Sequence, residues 1–271
     1  LISPGKDDYY AKRLKSALKL PPLTLSTIAA LIKPGIEITL VDEHVEPINY
    51  DDPPDLVGIT VMTSVAPRAY NIADEFRARG AKVVLGGPHP SALPQEAIQH
   101  CDAVVIGEAE GAWQRLIDDF EKGDLKQFYS NERFPSMENL PEPRRDLYKK
   151  GAYYLENTIQ ISRGCPFGCS FCSVSNFFGN TYRHRPIGDV IREISHMKGK
   201  LIAFMDDNII GNPKHSKELF KALIPYGKKW VGQSSFNIVE DKELLELAQK
   251  SGCSGLFIGL ESISEASMKE I

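Results

Sequence analysis

Hydrophobic residues along the chain recur at two spacings that alternate regularly. Short aliphatic and β-branched runs, each ended by Gly, Pro, Thr or an acidic residue, predict strands, and longer stretches with apolar residues three and four positions apart predict helices. In the amino-terminal part, strands are predicted over 1–3, 37–42, 56–60, 82–85 and 103–106, and helices over 23–32, 66–79 and 112–120. This alternation predicts a Rossmann-like doubly wound parallel sheet, whose ligands bind beyond the carboxyl ends of the strands.

The periodic pattern fades after residue 120 and returns near residue 157. The segment 121–156 is rich in charges and includes Pro135, Pro141 and Pro143, which is typical of an extended linker. Beyond it, strands are predicted over 158–162, 201–205, 230–233 and 256–260, alternating with helices over 187–197, 216–224 and 241–250. Four strands each followed by a helix, the last of which is cut, predict half of a (β/α) barrel, with its chemistry at the carboxyl ends of the strands.

The expected organisation is therefore a first domain over 1–120, a linker over 121–156 and a partial barrel over 157–271. The sequence begins without Met, as if inside a first strand, and stops inside what is predicted to be a helix. We therefore expect a fragment of a longer protein.

Composition narrows the class of protein. The chain is 42% hydrophobic and 25% charged, as in ordinary globular proteins, and its net charge of −4 gives no reason to expect a nucleic-acid partner. No apolar run is as long as a membrane span, and no signal peptide opens the chain. Five cysteines, three of them clustered, favour a reducing cytoplasm over a disulfide framework.

The clustered cysteines are Cys165, Cys169 and Cys172, in the stretch GCPFGCSFCSV at the end of the first predicted barrel strand. A structural zinc ion and an iron–sulfur cubane each take four ligands, and His184 is a candidate for the fourth ligand of a zinc ion. Cys101 and Cys253 are isolated and suit small buried side chains. The position of the loop and its glycine and aromatic content favour a cubane with one open iron, over zinc or core cysteines.

The C-x-x-x-C-x-x-C spacing, with the aromatic Phe171 before the last cysteine, resembles the signature of the radical S-adenosylmethionine (SAM) enzymes. The resemblance implies that the three cysteines bind a 4Fe–4S cluster and that the amino and carboxylate groups of SAM chelate the fourth iron. It also implies that an electron from the reduced cluster cleaves SAM to methionine and a 5′-deoxyadenosyl radical, which takes hydrogen from a substrate.

Polar side chains follow the later barrel strands, in the stretches FMDDN, WVGQSSF and FIGLES. The resemblance implies that these side chains contact SAM. The candidate SAM residues are Phe171, Asp206, Asp207, Asn208, Gln233, Ser235 and Glu261. Capping of the following turn remains an alternative for Asp207 and Asn208, and solvation of a strand end remains one for Gln233 and Ser235. Three arginines are further candidates for contacts with the cluster or the SAM carboxylate: Arg163, Arg183 and Arg185.

Four segments of the amino-terminal part resemble the cobalamin-binding domain of B12-dependent radical SAM enzymes, closest to the hopanoid methyltransferase-like branch. These segments are DLVGITVMT, RAYNIADEFRARG, VVLGGPHPSALPQEA and AVVIGEAEGAW. Glycines after a strand allow close approach of a ligand, although a tight turn remains an alternative for the Gly-Gly-Pro-His segment. The candidate cobalamin residues are Thr60, Thr63, Ser64, Gly86, Gly87, Pro88, His89, Gly107 and Glu108.

One motif departs from other cobalamin domains, which carry D-x-H-x-x-G with a histidine that binds cobalt. Asp42, Glu43 and His44 match its first three positions, but Pro47 stands where the glycine is required and the motif follows the second strand. We therefore expect cobalamin to bind without a histidine ligand. A domain that binds nothing remains an alternative.

The resemblance implies a methyltransferase that methylates an unactivated carbon, with methylcobalamin as methyl donor and the 5′-deoxyadenosyl radical as activator. A B12-dependent cyclase or ring-rearranging enzyme and a non-catalytic iron–sulfur electron carrier remain alternatives. A methylthiotransferase is disfavoured, because its amino-terminal domain carries three cysteines and this one has only Cys101. The implied partners are a small-molecule or lipid substrate and a reductase, flavodoxin or ferredoxin as electron donor.

Overall fold

A computed structural model of the chain describes residues 1–5 and 19–264. The chain divides into two compact units, each with its own parallel sheet. The first unit comprises Leu1–Pro135 and Pro141–Tyr154, and the second comprises Ser136–Leu140 and Leu155–Ile271. Among the described residues, no helix has the length and apolar character needed to cross a membrane.

The first unit is built on strands that all run parallel, in the order β2-β1-β3-β4-β5-β6. These strands are β1 (Ile2–Ser3), β2 (Val41–Asp42), β3 (Leu56–Thr60), β4 (Lys82–Gly86), β5 (Ala103–Ile106) and β6 (Phe128–Ser130). Its helices are α1 (Leu23–Ala30), α2 (Ala66–Ala78), α3 (Pro88–Ala92), α4 (Pro94–Ala97) and α5 (Ala112–Glu121). The strand order reverses between β1 and β3, which confirms the predicted doubly wound architecture.

Strand β4 shows how the first unit buries both faces of its sheet. Val83 and Leu85 belong to one core cluster together with α2, whereas Val84 belongs to a second cluster together with α5. Successive side chains of a strand point to opposite faces, so a fully apolar strand requires a helix on each side. The near-continuous hydrophobic strands in the sequence are the signature of this arrangement.

The segment predicted as a linker, 121–156, is more structured than its composition suggests. Strand β6 pairs with β5 and extends the sheet of the first unit. Further along, Tyr148 and Tyr153 are buried in a cluster with Leu25 and Leu40. The aromatic residues of the segment lack regular spacing, yet burial of their large apolar surface fixes much of it to the first unit.

The second unit contains a parallel sheet in the order β12-β11-β10-β7 and a separate antiparallel pair, β8 with β9. Its strands are β7 (Thr158–Ile159), β8 (Ser162–Gly164), β9 (Tyr182–His184), β10 (Leu201–Phe204), β11 (Lys229–Ser234) and β12 (Cys253–Ile258). Its helices are α6 (Ser173–Phe178), α7 (Ile187–His196), α8 (Pro213–Leu223) and α9 (Lys242–Lys250).

The parallel strands of the second unit are neighbours in chain order, as the predicted partial (β/α) barrel requires. Helices α7, α8 and α9 pack apolar side chains against the sheet around Trp230, whose side chain is fully buried. The predicted strand 158–162 differs from the structure, because it ends at Ile159 and the backbone resumes as β8 in the antiparallel pair. That pair carries the cysteine loop between its two strands.

Candidate functional site

The cysteine loop begins after β8 ends at Gly164, and it returns through α6 to β9. Gly164 has a φ of +87°, and a Cβ at this position would lie 2.0 Å from the carbonyl oxygen of Thr181. Only glycine fits such a close approach of two backbones. The glycine before the first cysteine therefore fixes where the loop leaves the antiparallel pair β8–β9.

None of the five cysteines forms a disulfide; the three clustered cysteines and Cys253 are half-buried, whereas Cys101 is buried. The backbone N–H of Cys172 donates to the carbonyl of Cys169 at 3.0 Å, which folds the second half of the loop into a turn. Between them the Phe171 ring is 58% exposed. None of the three clustered cysteines is fully buried.

His184, the candidate fourth zinc ligand, packs its ring on that of His215, with centroids 3.9 Å apart. Burial and the neighbouring His184 lower the pKa of His215. Within residues 1–5 and 19–264, no three His, Cys, Asp or Glu side chains are grouped as ligands for a single metal ion.

Asn208 is the side chain that joins three separately predicted parts of the site. Its Nδ2 lies 3.7 Å from the Cys165 sulfur and 3.3 Å from the Ser235 hydroxyl, and its Oδ1 accepts from the Ser235 backbone N–H at 3.2 Å. The residue is only 2% exposed. The cysteine loop and the ends of β10 and β11 therefore meet at one buried amide.

Asp206 lies two residues before Asn208 in the sequence but makes contacts elsewhere. Its carboxylate accepts hydrogen bonds from the Ile161 N–H at 3.0 Å and from the Ser162 hydroxyl at 2.6 Å, as well as from the Ser162 N–H. Burial raises its pKa to about 7. Ser162 was not among the predicted site residues, because a serine at a strand end carries no signal of its own in the sequence.

The remaining predicted SAM residues lie at strand ends with varied exposure. Asp207 is half-buried, which raises its pKa, whereas the side chains of Gln233 and Glu261 are exposed. Glu261 has a φ of +53°, in the left-handed region. The structure therefore brings Cys165, Asn208 and Ser235 together, and it describes no hydrogen bond from these three side chains to Gln233 or Glu261.

Two of the candidate arginines are engaged within the second unit. Arg185 forms an ion pair with Glu193 at 2.6 Å, with side chains 5% and 0% exposed. Arg163 is buried and its Nε donates to the Gln160 side chain at 3.0 Å. Both guanidinium groups therefore contribute to internal structure around the pair β8–β9.

In the first unit, the predicted cobalamin residues gather at the carboxyl ends of β3, β4 and β5. Gly87 has a φ of +101°, and a Cβ there would lie 3.1 Å from the backbone nitrogen of Val61 and 3.2 Å from Oγ1 of Thr60. Met62, Thr63 and Ser64 follow β3 with exposed side chains. The glycine thus lets the loop after β4 lie against the end of β3.

Ser91 connects two of the predicted loops and was not among the predicted residues. Its hydroxyl donates to the Gly87 carbonyl at 2.7 Å and accepts from the Gly107 N–H at 2.8 Å. Asn131 adds a second connection, since its Nδ2 donates to the carbonyl of Glu108 at 2.9 Å. Glu108 itself is buried, and Pro88 is exposed.

His89 is 6% exposed and has hydrogen-bond partners on both ring nitrogens. Its Nδ1 lies 3.3 Å from the Thr63 hydroxyl, and its Nε2 lies 3.0 Å from the Tyr70 hydroxyl and 3.2 Å from the Glu96 carboxylate. These contacts hold the imidazole inside the first unit.

His44 follows the edge strand β2, and its Nδ1 lies 2.8 Å from the Asp42 carboxylate, which raises the pKa of His44. Asp42 also accepts a hydrogen bond from the Tyr153 hydroxyl at 3.1 Å. The Asp-x-His segment therefore forms an internal pair at the edge of the sheet, on the far side of β1 from β3.

Both halves of the chain match known families. Residues 13–117 match the B12 binding domain, and residues 159–271 match the radical SAM superfamily. Together the two domains imply cobalamin, SAM and a 4Fe–4S cluster as cofactors. Three half-buried cysteines on one loop can supply three of the four ligands of a 4Fe–4S cluster, and the Asn208 amide beside Cys165 suits a negatively charged sulfur.

Several curated proteins are similar along most of the chain. A bacteriochlorophyllide d C-8(2)-methyltransferase of Chlorobaculum tepidum is 36% identical over 91% of this chain and 59% of its own length. A hopanoid C-2 methylase of Rhodopseudomonas palustris is 28% identical over 92% and 50%. An anaerobic magnesium-protoporphyrin IX monomethyl ester cyclase of Synechocystis is 27% identical over 93% and 59%. The chain thus spans between half and three-fifths of the length of these relatives.

Among solved structures, the cobalamin-dependent SAM radical enzyme OxsB, with aqua-cobalamin and SAM bound, matches 99% of this chain and 44% of its own with a TM-score of 0.78. The sequence identity is 16%, so this likeness concerns the fold. The fold, the two domain matches and the order of the motifs agree. The chain belongs to the cobalamin (B12)-dependent radical SAM family.

Proposed function

We propose that the protein is a cobalamin-dependent radical SAM methyltransferase that methylates an unactivated carbon of a small-molecule or lipid substrate. The observation that carries the proposal is a single loop with three half-buried cysteines, Cys165, Cys169 and Cys172, which Asn208 connects to the ends of parallel barrel strands. Barrel enzymes place their chemistry at this end of the strands. When bound, the cluster and SAM supply a carbon radical that removes hydrogen from the substrate, and cobalamin supplies the methyl group.

The chain's own residues would hold these groups in place. The three cysteines would bind three irons and leave one iron for SAM, and the exposed Phe171, Gln233 and Glu261 would contact SAM at the rim. The half-buried Asp207 and Ser235 are the remaining polar candidates at the strand ends. The buried Asp206 would act through Ser162 by fixing the strand that leads into the cysteine loop.

The first domain, which we propose spans residues 1–120, would bind cobalamin at the ends of β3, β4 and β5. Thr60, Thr63 and Ser64 would offer hydroxyls, while the segments 86–89 and 107–108 would offer backbone groups. His89 would support this edge from inside, since both of its ring nitrogens are engaged. Cobalamin would therefore bind with no histidine of this edge on the cobalt.

The electron for SAM cleavage would come from a reductase, flavodoxin or ferredoxin. Five cysteines without a disulfide suit the reducing cytoplasm in which such donors operate. The methyltransferases among the relatives favour methyl transfer, and the cyclase relative makes ring closure the second candidate.

The proposal is tested by anaerobic reconstitution of the full chain with iron, sulfide and hydroxocobalamin, followed by SAM and a chemical reductant. We expect a 4Fe–4S cluster, bound cobalamin, and release of methionine with 5′-deoxyadenosine. Bound zinc without a cluster would overturn the proposal. A cluster that is reduced but leaves SAM intact would indicate the electron carrier instead. C253A is the matched control, because this free thiol lies outside the cysteine loop.

A further inference from the structure

The side-chain amide of Asn208 has a fixed orientation. Its Oδ1 faces the backbone N–H groups of Ile210 and Ser235, at 3.3 and 3.2 Å. A backbone N–H can only donate, so the oxygen of the amide must face these two groups and the NH2 must face the other way. The positions of the side-chain oxygen and nitrogen of an asparagine are often ambiguous, but the two backbone N–H groups fix them here.

The NH2 group consequently points at a sulfur atom. Nδ2 lies 3.7 Å from the Cys165 sulfur and 3.3 Å from the Ser235 hydroxyl, so each of its two hydrogens has one acceptor. The backbone carbonyl of Asn208 accepts a hydrogen bond from the Tyr182 hydroxyl at 3.1 Å. With 2% of the residue exposed, water does not compete for the amide.

We propose that Asn208 is a positioning residue that donates an N–H···S hydrogen bond to the Cys165 thiolate and raises the reduction potential of the cluster, rather than a contact to SAM. The inference rests on the proposed function, in which Cys165 is a cluster ligand. Reduction adds one negative charge to the cluster and its sulfurs. A buried donor at a ligating sulfur stabilises that charge, and hydrogen bonds to sulfur are among the factors that set cluster potentials.

The substitution Asn208→Asp isolates this hydrogen bond. A carboxylate has nearly the same shape and still accepts from the Ile210 and Ser235 N–H groups, so the backbone contacts are retained. It has no donor for Cys165 and brings a negative oxygen to the sulfur instead. The matched control is Asn212→Asp, since Asn212 accepts from the His215 N–H at the start of α8 and aspartate caps a helix equally well.

The measurement is the midpoint potential of the reconstituted cluster without SAM, from an EPR-monitored redox titration of the full chain. For N208D we expect the ratio of reduced to oxidised cluster at a given potential to fall at least tenfold, a shift of about 59 mV for one electron. N212D should titrate like the wild type. An unchanged potential in N208D overturns the inference while leaving the proposed function intact, whereas a wild-type chain that assembles no cluster overturns the proposed function.

A second measurement covers the case in which N208D does not retain its cluster. Wild-type protein carrying asparagine labelled with nitrogen-15 at the side-chain amide is examined by pulsed EPR in the reduced state. A coupling between the labelled nitrogen and the cluster, seen in both the wild type and N212D, supports the hydrogen bond. The absence of any such coupling overturns the inference.

Discussion

The carboxylate of Asp206 accepts hydrogen bonds from both the backbone N–H and the hydroxyl of Ser162, which joins the end of β10 to the start of β8. The carboxylate is fully buried and also accepts from the Ile161 N–H. Since β8 leads directly into the cysteine loop, this contact sets where the loop begins. Asp206 therefore supports the site through the backbone.

Burial of Asp206 makes the stability of the second unit depend on pH. Burial raises its pKa from 3.8 to about 7, so the native state keeps a proton that the unfolded chain loses. Between about pH 4 and pH 7 the native state binds more protons, and the free energy of unfolding falls as pH rises, by at most about 1.4 kcal/mol per pH unit from this group. D206N should lack this part of the slope. Denaturation followed by Trp230 fluorescence in a W113F background measures it, because Trp230 lies in the core of the second unit. Equal slopes of the unfolding free energy against pH in W113F and in W113F/D206N would contradict this expectation.

Gly164 should be essential to the cysteine loop. G164A places a Cβ against the Thr181 carbonyl in a backbone conformation that alanine rarely adopts, so we expect a loss of about 3 kcal/mol or more and severalfold less iron bound after reconstitution. G168A is the matched control in the same loop, since a Cβ there would meet no neighbouring atom within 4 Å and the φ of Gly168 is not positive. Equal iron contents in the two variants would show that the pair β8–β9 does not fix the loop.

Much of the fold follows from local patterns in the sequence, because buried parallel strands are β-branched runs and the helices that cover them are amphipathic. The antiparallel pair does not follow from such a pattern: β8 and β9 are three residues each, and SRG and YRH show no alternation. Strand β6 is equally short and lies in the charged segment that was predicted as a linker. Short strands are defined by their partners in space, which a local pattern does not contain.

The site was predicted less completely than the fold, for a similar reason. Asp206, Asp207 and Asn208 are adjacent and chemically alike, and the strand end alone does not determine which of them faces Ser162 and which faces Cys165. In the structure, the Asp206 side chain faces Ser162 and the Asn208 side chain faces Cys165. Ser91 and Tyr182 connect parts of the sites through single hydroxyls, a role that their residue type does not reveal.

In the first unit, Gly86 at the end of β4 and Gly87 directly after it should differ in their tolerance of alanine. Gly87 has φ +101° and ψ −172°, a conformation almost confined to glycine, so G87A should cost about 1–3 kcal/mol and weaken hydroxocobalamin binding. G86A places its Cβ 3.6 Å from Val105, an ordinary contact, and should change both quantities less. Unfolding followed by Trp113 fluorescence in a W230F background and equilibrium dialysis with hydroxocobalamin measure them. A larger effect of G86A would contradict the role of Gly87.

The buried ion pair between Arg185 and Glu193 should be sensitive to loss of one partner. E193Q leaves the guanidinium without its counter-charge, which costs about 3–5 kcal/mol for a buried pair. Replacement of both residues by methionine removes both charges and should cost less than E193Q alone. Trp230-detected denaturation of the two variants tests this, and a double variant less stable than E193Q would contradict it.

On the proposed function, three thiolates hold a cluster whose fourth iron is open to SAM. The most direct measurement is the EPR spectrum of the reduced cluster in the reconstituted full chain, recorded before and after addition of SAM. We expect SAM to change the spectrum of the wild type and of C253A, and we expect C165A, C169A and C172A each to fail to assemble the cluster. A wild-type spectrum that SAM leaves unchanged, or a cluster that survives loss of one of these three cysteines, would contradict this expectation.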